Sequence, residues 1–349
     1  MAKIIPVKKY DILSYTFTAE INKQNRVNSL SYVKDEYIHD ESDTNYEYII
    51  FANGYRVKDI TLDGLNTYGE NNFTRRIVNY FKNKKKNVVV IHILLDSDAP
   101  LDLEAKIIAK HVDQLARQDN VSTINLIGHS KCGAMFFNMP KYFKNKRSFE
   151  KSFIYTSAAP FRGCLIASPR LFLHQVKEAV FSKLPKPISE LTFKALKKYY
   201  NTSSSNSHMD NDIAIPGTLT ERYDPDFIRC TFDKANIEAI KKVRKFQNFI
   251  TGVDDESLVK SLKRQDYTSV GLCLMDRYFM DETTDGFIEL RSQESVSEYV
   301  DVPTIRIASA THNYLAHNDE LGIILDSVNQ NIDEEHEKNR EQKTMRYRR

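Results

Sequence analysis

The sequence predicts an α/β protein with a mostly parallel central sheet flanked by helices, on three observations. Between residues 46 and 157, apolar strand-like runs alternate with amphipathic helical stretches, the order a sheet built from crossover connections requires. Residues 88–95 read V-V-V-I-H-I-L-L, a continuous run of the kind a strand covered on both faces needs. Glycine is scarce, 11 in 349 residues, yet Gly54, Gly128, Gly133, Gly163 and Gly286 fall just after predicted strands or in the loops that follow them. Sites in open α/β sheets form at those carboxyl ends.

Residues 10–33 alternate apolar and polar side chains, the period of half-exposed strands. Residues 46–52, Y-E-Y-I-I-F-A, form a more buried strand ending at Asn53-Gly54. A helical signal over 72–82 and a solvated K-N-K-K-K-N turn lead into the run at 88–95. Over 102–118, Ile107, Ile108, His111, Val112 and Leu115 share one helical stripe. A strand at 123–128, a short helix ending near Pro140 and a strand at 152–157 follow. The pattern then breaks. Residues 165–262 carry helical segments at 171–183, 189–200 and 234–250 with no strong strand, and strands return at 268–274 and 303–308. The expected organisation is a core of residues 1–164 and 263–331, a helical cap or lid insertion at 165–262 and a charged C-terminal tail at 332–349, solvated or frayed as helix. The alternative for 165–262 is one long crossover, but about 100 residues far exceed an ordinary connection.

Composition excludes several classes. Lys plus Arg is 50 against 47 Asp plus Glu, a net charge of +3, which gives no concentrated basic face for nucleic acid. No apolar run approaches the roughly 20 residues of a transmembrane segment, and the first residues, M-A-K-I-I-P-V-K-K-Y, lack the apolar core of a signal peptide. Cys132, Cys164, Cys230 and Cys273 are widely spaced, as expected of reduced thiols in a cytoplasmic protein. There is no H-E-x-x-H and no G-x-x-x-x-G-K-[ST], so neither a metal nor any other cofactor is expected. Oligomeric state is not legible.

The chemistry concentrates at residues 124–134, I-N-L-I-G-H-S-K-C-G-A. A strand ends at Gly128 and a helix starts just past Ser130, so the serine sits on a sharp turn with its hydroxyl exposed, and small neighbours let strand and helix approach. The bland reading is a helix N-cap serine. Cys132 is a rival nucleophile, but it lies within the helix, off the tip of the turn. The segment G-H-S-K-C-G resembles the nucleophile elbow of the α/β-hydrolase superfamily, and is similar to lipase-like members with G-H-S-K-G-G. It departs from them in having Cys132 where they have glycine.

The resemblance implies an α/β-hydrolase fold and a triad in the chain order Ser, acid, His. D-G-F-I-E-L-R-S-Q (285–293) resembles the lipase segment D-G-x-V-P-x-x-S-Q, which makes Asp285 the implied acid, with Asp281 and Asp276 as rivals on the same loop. His312, just past the strand at 303–308, is the implied base, with His317 as its rival. The H-N-D-E context of His317 is similar to a calcium-binding segment of some bacterial lipases, but calcium would need a further carboxylate such as Asp266, and no metal is assigned. The implied oxyanion donors are the N–H groups of Lys131 and Tyr55, the latter in F-A-N-G-Y, where Asn53 replaces the usual His. T-S-A-A-P-F-R-G-C-L-I-A (156–167) resembles a lipase strand end, with Phe161 where His is common.

The implied activity is hydrolysis of a carboxylic ester, lipase- or esterase-like, on a small-molecule or lipid substrate. The alternatives are a catalytically degenerate binding protein on the same fold, suggested by Asn53, Cys132 and Phe161, and an acyltransferase or thioesterase using the same residues.

Overall fold

The computed structural model describes residues 12–21, 27–34, 46–52, 73–84, 86, 88–94, 101–164, 177–178, 180–191, 194, 231–252, 273, 284–285, 288–307 and 318–347. The elements are β1 (Ile12–Ile21), β2 (Val27–Lys34), β3 (Tyr46–Ala52), α1 (Phe73–Asn83), β4 (Val88–Leu94), α2 (Leu101–Ala116), β5 (Val121–His129), α3 (Lys131–Asn138), α4 (Lys146–Lys151), β6 (Ser152–Ser157), α5 (Lys234–Ile240), β7 (Lys245–Thr251), α6 (Leu290–Glu294), β8 (Thr304–Ile307) and α7 (Asn318–Tyr347).

The strands make one eight-stranded sheet in the order β2-β1-β4-β3-β5-β6-β7-β8. β1 and β2 pair antiparallel, and every other neighbouring pair is parallel. Ile50 at the centre of β3 faces Ile91 of β4 on one side and Leu126 of β5 on the other. Because side chains alternate along a strand, the apolar runs supply two cores. Tyr48, Ile50, Val89, Ile91, Leu126 and Ile154 pack with α2 and α3 on one face. Ile49, Phe51, Val88, Val90, Phe153 and Tyr155 pack with α1 and α7 on the other.

The strand order also marks a switch point. From β3 the chain moves to β4 on one side, and after β4 it returns past β3 to β5 and proceeds the opposite way to β6, β7 and β8. The connections therefore diverge between the carboxyl ends of β3 and β5, where Ala52 pairs with Gly128. Such a switch point is where open α/β sheets place their ligands.

Three expectations need correction. Residues 234–250 are not one helix: α5 ends at Ile240 and residues 245–251 are β7, inside the sheet between β6 and β8. The spacing of Ile240, Val243, Phe246 and Ile250 suits a helix, but pairing on both sides decides for the strand, where Phe246 and Phe249 enter opposite cores. The core sheet thus takes strand residues from within the span assigned to the insertion. The predicted strand at 268–274 is contradicted at Cys273, which is helical; the rest of it lies outside the described residues, as do 171–176 and 195–200 of the predicted helices. Residues 332–347 are helical, as expected of the tail, but they continue α7, which runs unbroken from Asn318 to Tyr347, and the first of them are docked rather than solvated. Ile332 is fully buried, Arg244 pairs with Glu335 at 2.7 Å, and His336 Nε2 meets Glu47 Oε1 at 2.7 Å. Just before them, Asn331 donates to the buried Tyr155 hydroxyl at 2.6 Å.

These contacts make a test. Truncation after Lys338 should leave the unfolding free energy within about 0.5 kcal/mol. Truncation after Gln330 removes Ile332 from the core and the Asn331 partner from Tyr155, and should lower it by about 3 kcal/mol or more. Urea denaturation measures both, and equal midpoints for the two truncations would contradict the docking of α7.

Candidate active site

Ser130 links β5 directly to α3 and has φ 56 and ψ −132. A left-handed φ on a residue with a Cβ costs on the order of 1–3 kcal/mol and persists only where its surroundings over-determine it. Here they do. Ser130 N–H donates to Ser157 O at the end of β6 (2.8 Å), and Ser130 O accepts from Gly133 N–H (2.8 Å). A Cβ on Gly128 would sit 2.5 Å from Cys132 O and 2.7 Å from Phe136 Cδ2, and one on Gly133 would sit 2.7 Å from Ala159 Cβ. Both glycines are therefore required by close approach, of helix to strand at Gly128 and of α3 to the end of β6 at Gly133. The neighbouring strand end is bent as well: Ala158 has φ 47, and its N–H donates to Phe249 O of β7 at 3.0 Å.

Cys132 fits the site where related motifs have glycine. It is 1% exposed, and burial, reinforced by the Glu104 carboxylate, holds its thiol far above the usual thiol range. Burial of this kind favours the protonated thiol over the reactive thiolate. Phe161 is fully buried too, edge-on to Phe137 at 5.3 Å.

Lys131 is the first residue of α3, where backbone N–H groups have no intrahelical acceptor. Its side chain turns into the protein and pairs with Glu104 of α2 at 3.2 Å, the two side chains 4% and 0% exposed. This buried pair was missed by sequence reasoning, though a signal existed. Glu104 lies in phase with Leu101, Ala105 and Ile108 on the buried face of α2, an acid on an apolar stripe.

Asp285 is fully buried, and both oxygens of its carboxylate accept hydrogen bonds. Oδ1 accepts from Ile288 N–H at 2.8 Å; Oδ2 accepts from Gln293 Nε2 at 3.1 Å and from the Thr251 hydroxyl at 3.3 Å. Thr251 is the last residue of β7, so Asp285 stands at the carboxyl edge of the sheet, the same edge as Ser130, with β6 between their strands. The part played by Gln293 was also not foreseen, although the residue closes the segment that suggested Asp285. Of the remaining site residues, Tyr55, Asn53, Gly54, Asp276, Asp281, His312, His317 and Asp266 lie outside the described residues. Their places along the chain are defined: Tyr55 follows β3 by three residues, and both histidines fall between Ile307, the end of β8, and Asn318, the start of α7. Among the described residues, no cluster of three His, Cys, Asp or Glu side chains could hold a metal ion, and no helix is long and apolar enough to cross a membrane.

A mostly parallel sheet with helices on both faces and a strained serine on the β5–α3 turn define an α/β-hydrolase-like fold. No family model and no curated protein sequence matches the chain. Among solved structures, the chain is similar to the mature form of the Bacillus licheniformis lipase BlEst2, with a TM-score of 0.48 at 10% identity over 80% of this chain and 90% of that one. It is also similar to the lin2722 gene product of Listeria innocua (TM-score 0.40, 12% identity, 78% and 89% covered). A third similar structure is the Legionella pneumophila phospholipase PlaB in complex with thio-NAD (TM-score 0.39, 16% identity, 71% and 44% covered).

The packing of the elbow can be tested without any activity. Gly128→Ala should lower the unfolding free energy by about 1–3 kcal/mol, because backbone must move to admit the methyl group; an unchanged urea midpoint would contradict the close approach. Cys132 should resist iodoacetamide at pH 8 in the native protein and react after unfolding, since a raised thiol pKa leaves no thiolate. The same shift makes folding weaken as pH rises past the unfolded thiol's pKa, because only the unfolded chain then releases that proton. Native labelling of Cys132, mapped by mass spectrometry, would contradict this.

Proposed function

We propose that this chain is a serine hydrolase that cleaves carboxylic esters through Ser130, His312 and Asp285. The observation that carries the reading is Ser130 at φ 56 at the topological switch point of the sheet. A serine hydroxyl is a weak nucleophile and needs a base steadied by a carboxylate. Asp285, buried and held by donors at the end of β7, suits that carboxylate. The strand leading to Ser130 and the strand whose last residue, Thr251, bonds Asp285 lie two steps apart in the sheet, about 10 Å at ordinary spacing, a gap that an imidazole hydrogen-bonded at both nitrogens bridges. From Ile307, five residues span up to about 17 Å, enough for His312 to reach back over β7.

In this mechanism His312 takes the Ser130 proton as Oγ attacks the ester carbonyl, and Asp285 steadies the imidazolium. The N–H groups of Lys131 and Tyr55 hold the oxyanion; β3 lies beside β5, which supports the second donor. His312 returns the proton to the leaving alcohol. Water, deprotonated by His312, then releases the acid from the acyl-enzyme. In this reading the segment between β6 and β7 caps the site, and Phe181, Ile188 and Leu191, exposed among its described residues, supply apolar surface for an acyl chain. Lipid esters and small acyl esters fit the same residues, and pocket depth separates them.

Hydrolysis of p-nitrophenyl esters of increasing chain length tests activity and pocket together. Wild type should turn over and should label with a fluorophosphonate at Ser130. Ser130→Ala should abolish labelling and lower kcat by about 10⁴–10⁶-fold, and Asp285→Asn by about 10⁴-fold. A wild type that neither turns over nor labels would make the chain a degenerate member of the fold.

A further inference from the structure

The proposed triad draws its acid and its nucleophile from segments far apart in sequence, and a run of fully buried polar groups connects them. The Thr156 hydroxyl on β6 donates to Asn248 Oδ1 on β7 at 2.9 Å. Asn248 Nδ2 donates to the carbonyl of Gln293 at 2.8 Å. The Gln293 carboxamide is used at both ends: Oε1 accepts from Thr251 N–H at 2.8 Å, and Nε2 donates to Asp285 Oδ2 and to Ile288 O, each at 3.1 Å. Thr156, Asn248, Gln293 and Asp285 are all 0% exposed. The residue after Thr156 is Ser157, whose carbonyl accepts from the Ser130 N–H. Gln293 therefore ties α6, the strand end of β7 and the loop of Asp285 into one unit referenced to the strand that holds the elbow.

We propose that Gln293 is the positioning residue of the acid: its carboxamide fixes the plane of the Asp285 carboxylate relative to the nucleophile. This rests on the serine hydrolase reading. Thr284 and Glu289 form an isolated bridge, and Ile288 N–H bonds within the turn itself. Thr251 and Gln293 both bond the carboxylate from outside that turn, and of these two Gln293 gives the shorter contact. A carboxylate free to rotate would orient the imidazole in only a fraction of molecules, and misplacement of about 1 Å costs on the order of 10²-fold in rate.

The test compares Gln293→Met, Gln293→Glu and Ser292→Ala. Ser292 neighbours Gln293 on α6, and its hydroxyl bonds Gly163 O at 2.7 Å without touching Asp285, so Ser292→Ala controls for loosening of the helix. Gln293→Met keeps the volume and removes both polar ends. Gln293→Glu keeps an acceptor for Thr251 N–H but sets a carboxylate against a carboxylate, and it serves if Gln293→Met does not fold. Ester hydrolysis, fluorophosphonate labelling rate and urea midpoints are measured for each. Gln293→Met should lower kcat and labelling about 10–100-fold with KM within about threefold, and Ser292→Ala should leave kcat unchanged. The acid limb of the kcat/KM profile should move to higher pH in Gln293→Glu, because facing carboxylates retain a proton. The proposal is overturned if Gln293→Met labels at the wild-type rate, if Gln293→Met and Ser292→Ala both lose kcat in proportion to stability, or if the acid limb of Gln293→Glu stays in place. Absence of wild-type labelling at Ser130 would remove the hydrolase reading, and this assignment with it.

Discussion

Ser130 occupies a backbone conformation that a residue with a Cβ adopts only under constraint. The constraint is the close approach of α3 to β5 and β6. Gly128 and Gly133 leave no room for a methyl group at the two contacts, and the Ser130 N–H and C=O are both committed, to Ser157 and Gly133. Without this packing, β5 would run into α3 through a relaxed turn and nothing would present the hydroxyl at the sheet edge. The strain of roughly 1–3 kcal/mol is offset by the apolar core beneath, where Phe136, Phe137 and Ala134 are fully buried.

The sheet topology then determines what the serine can meet. The connections diverge after β3 and β5, the ends beside Ser130, and the progression β5, β6, β7, β8 sets Asp285 along the same edge. The polar groups under that edge are not loose. Thr156, Asn248 and Gln293 link neighbouring elements without reaching solvent, and Glu104 of α2 with Lys131 anchors the first turn of α3 within the helix layer that the two helices share. A buried ion pair adds little net stability compared with apolar packing. Its place beside the elbow accords with a role in geometry.

Much of this was legible in the sequence because the signals were local. The continuous runs at 46–52 and 88–95, the glycine spacing around Ser130 and the apolar stripe over 102–118 each reported on their own element, and the strands and helices formed there. Non-local pairing was harder to read. Residues 245–251 carry a spacing compatible with either helix or strand, and only the edges of β6 and β8 select the strand. Ile332 looked like an isolated apolar residue in a charged tail, yet the continuous rise of α7 brings it into the core beside Val328. For Gln293, a polar residue in a short polar segment carries no signal that its carboxamide will be buried against Asp285.

The proposed reaction requires that Ser130, held at its left-handed turn, meet a base from the segment between β8 and α7. A crystal structure of the covalent phosphonate adduct tests it most directly. The account predicts the phosphorus on Ser130 Oγ with φ of that residue still positive. It also predicts the phosphoryl oxygen within hydrogen-bond distance of the Lys131 and Tyr55 N–H groups, and His312 between the adduct and Asp285. A relaxed, negative φ at Ser130, or an adduct with neither His312 nor His317 within reach, would contradict it.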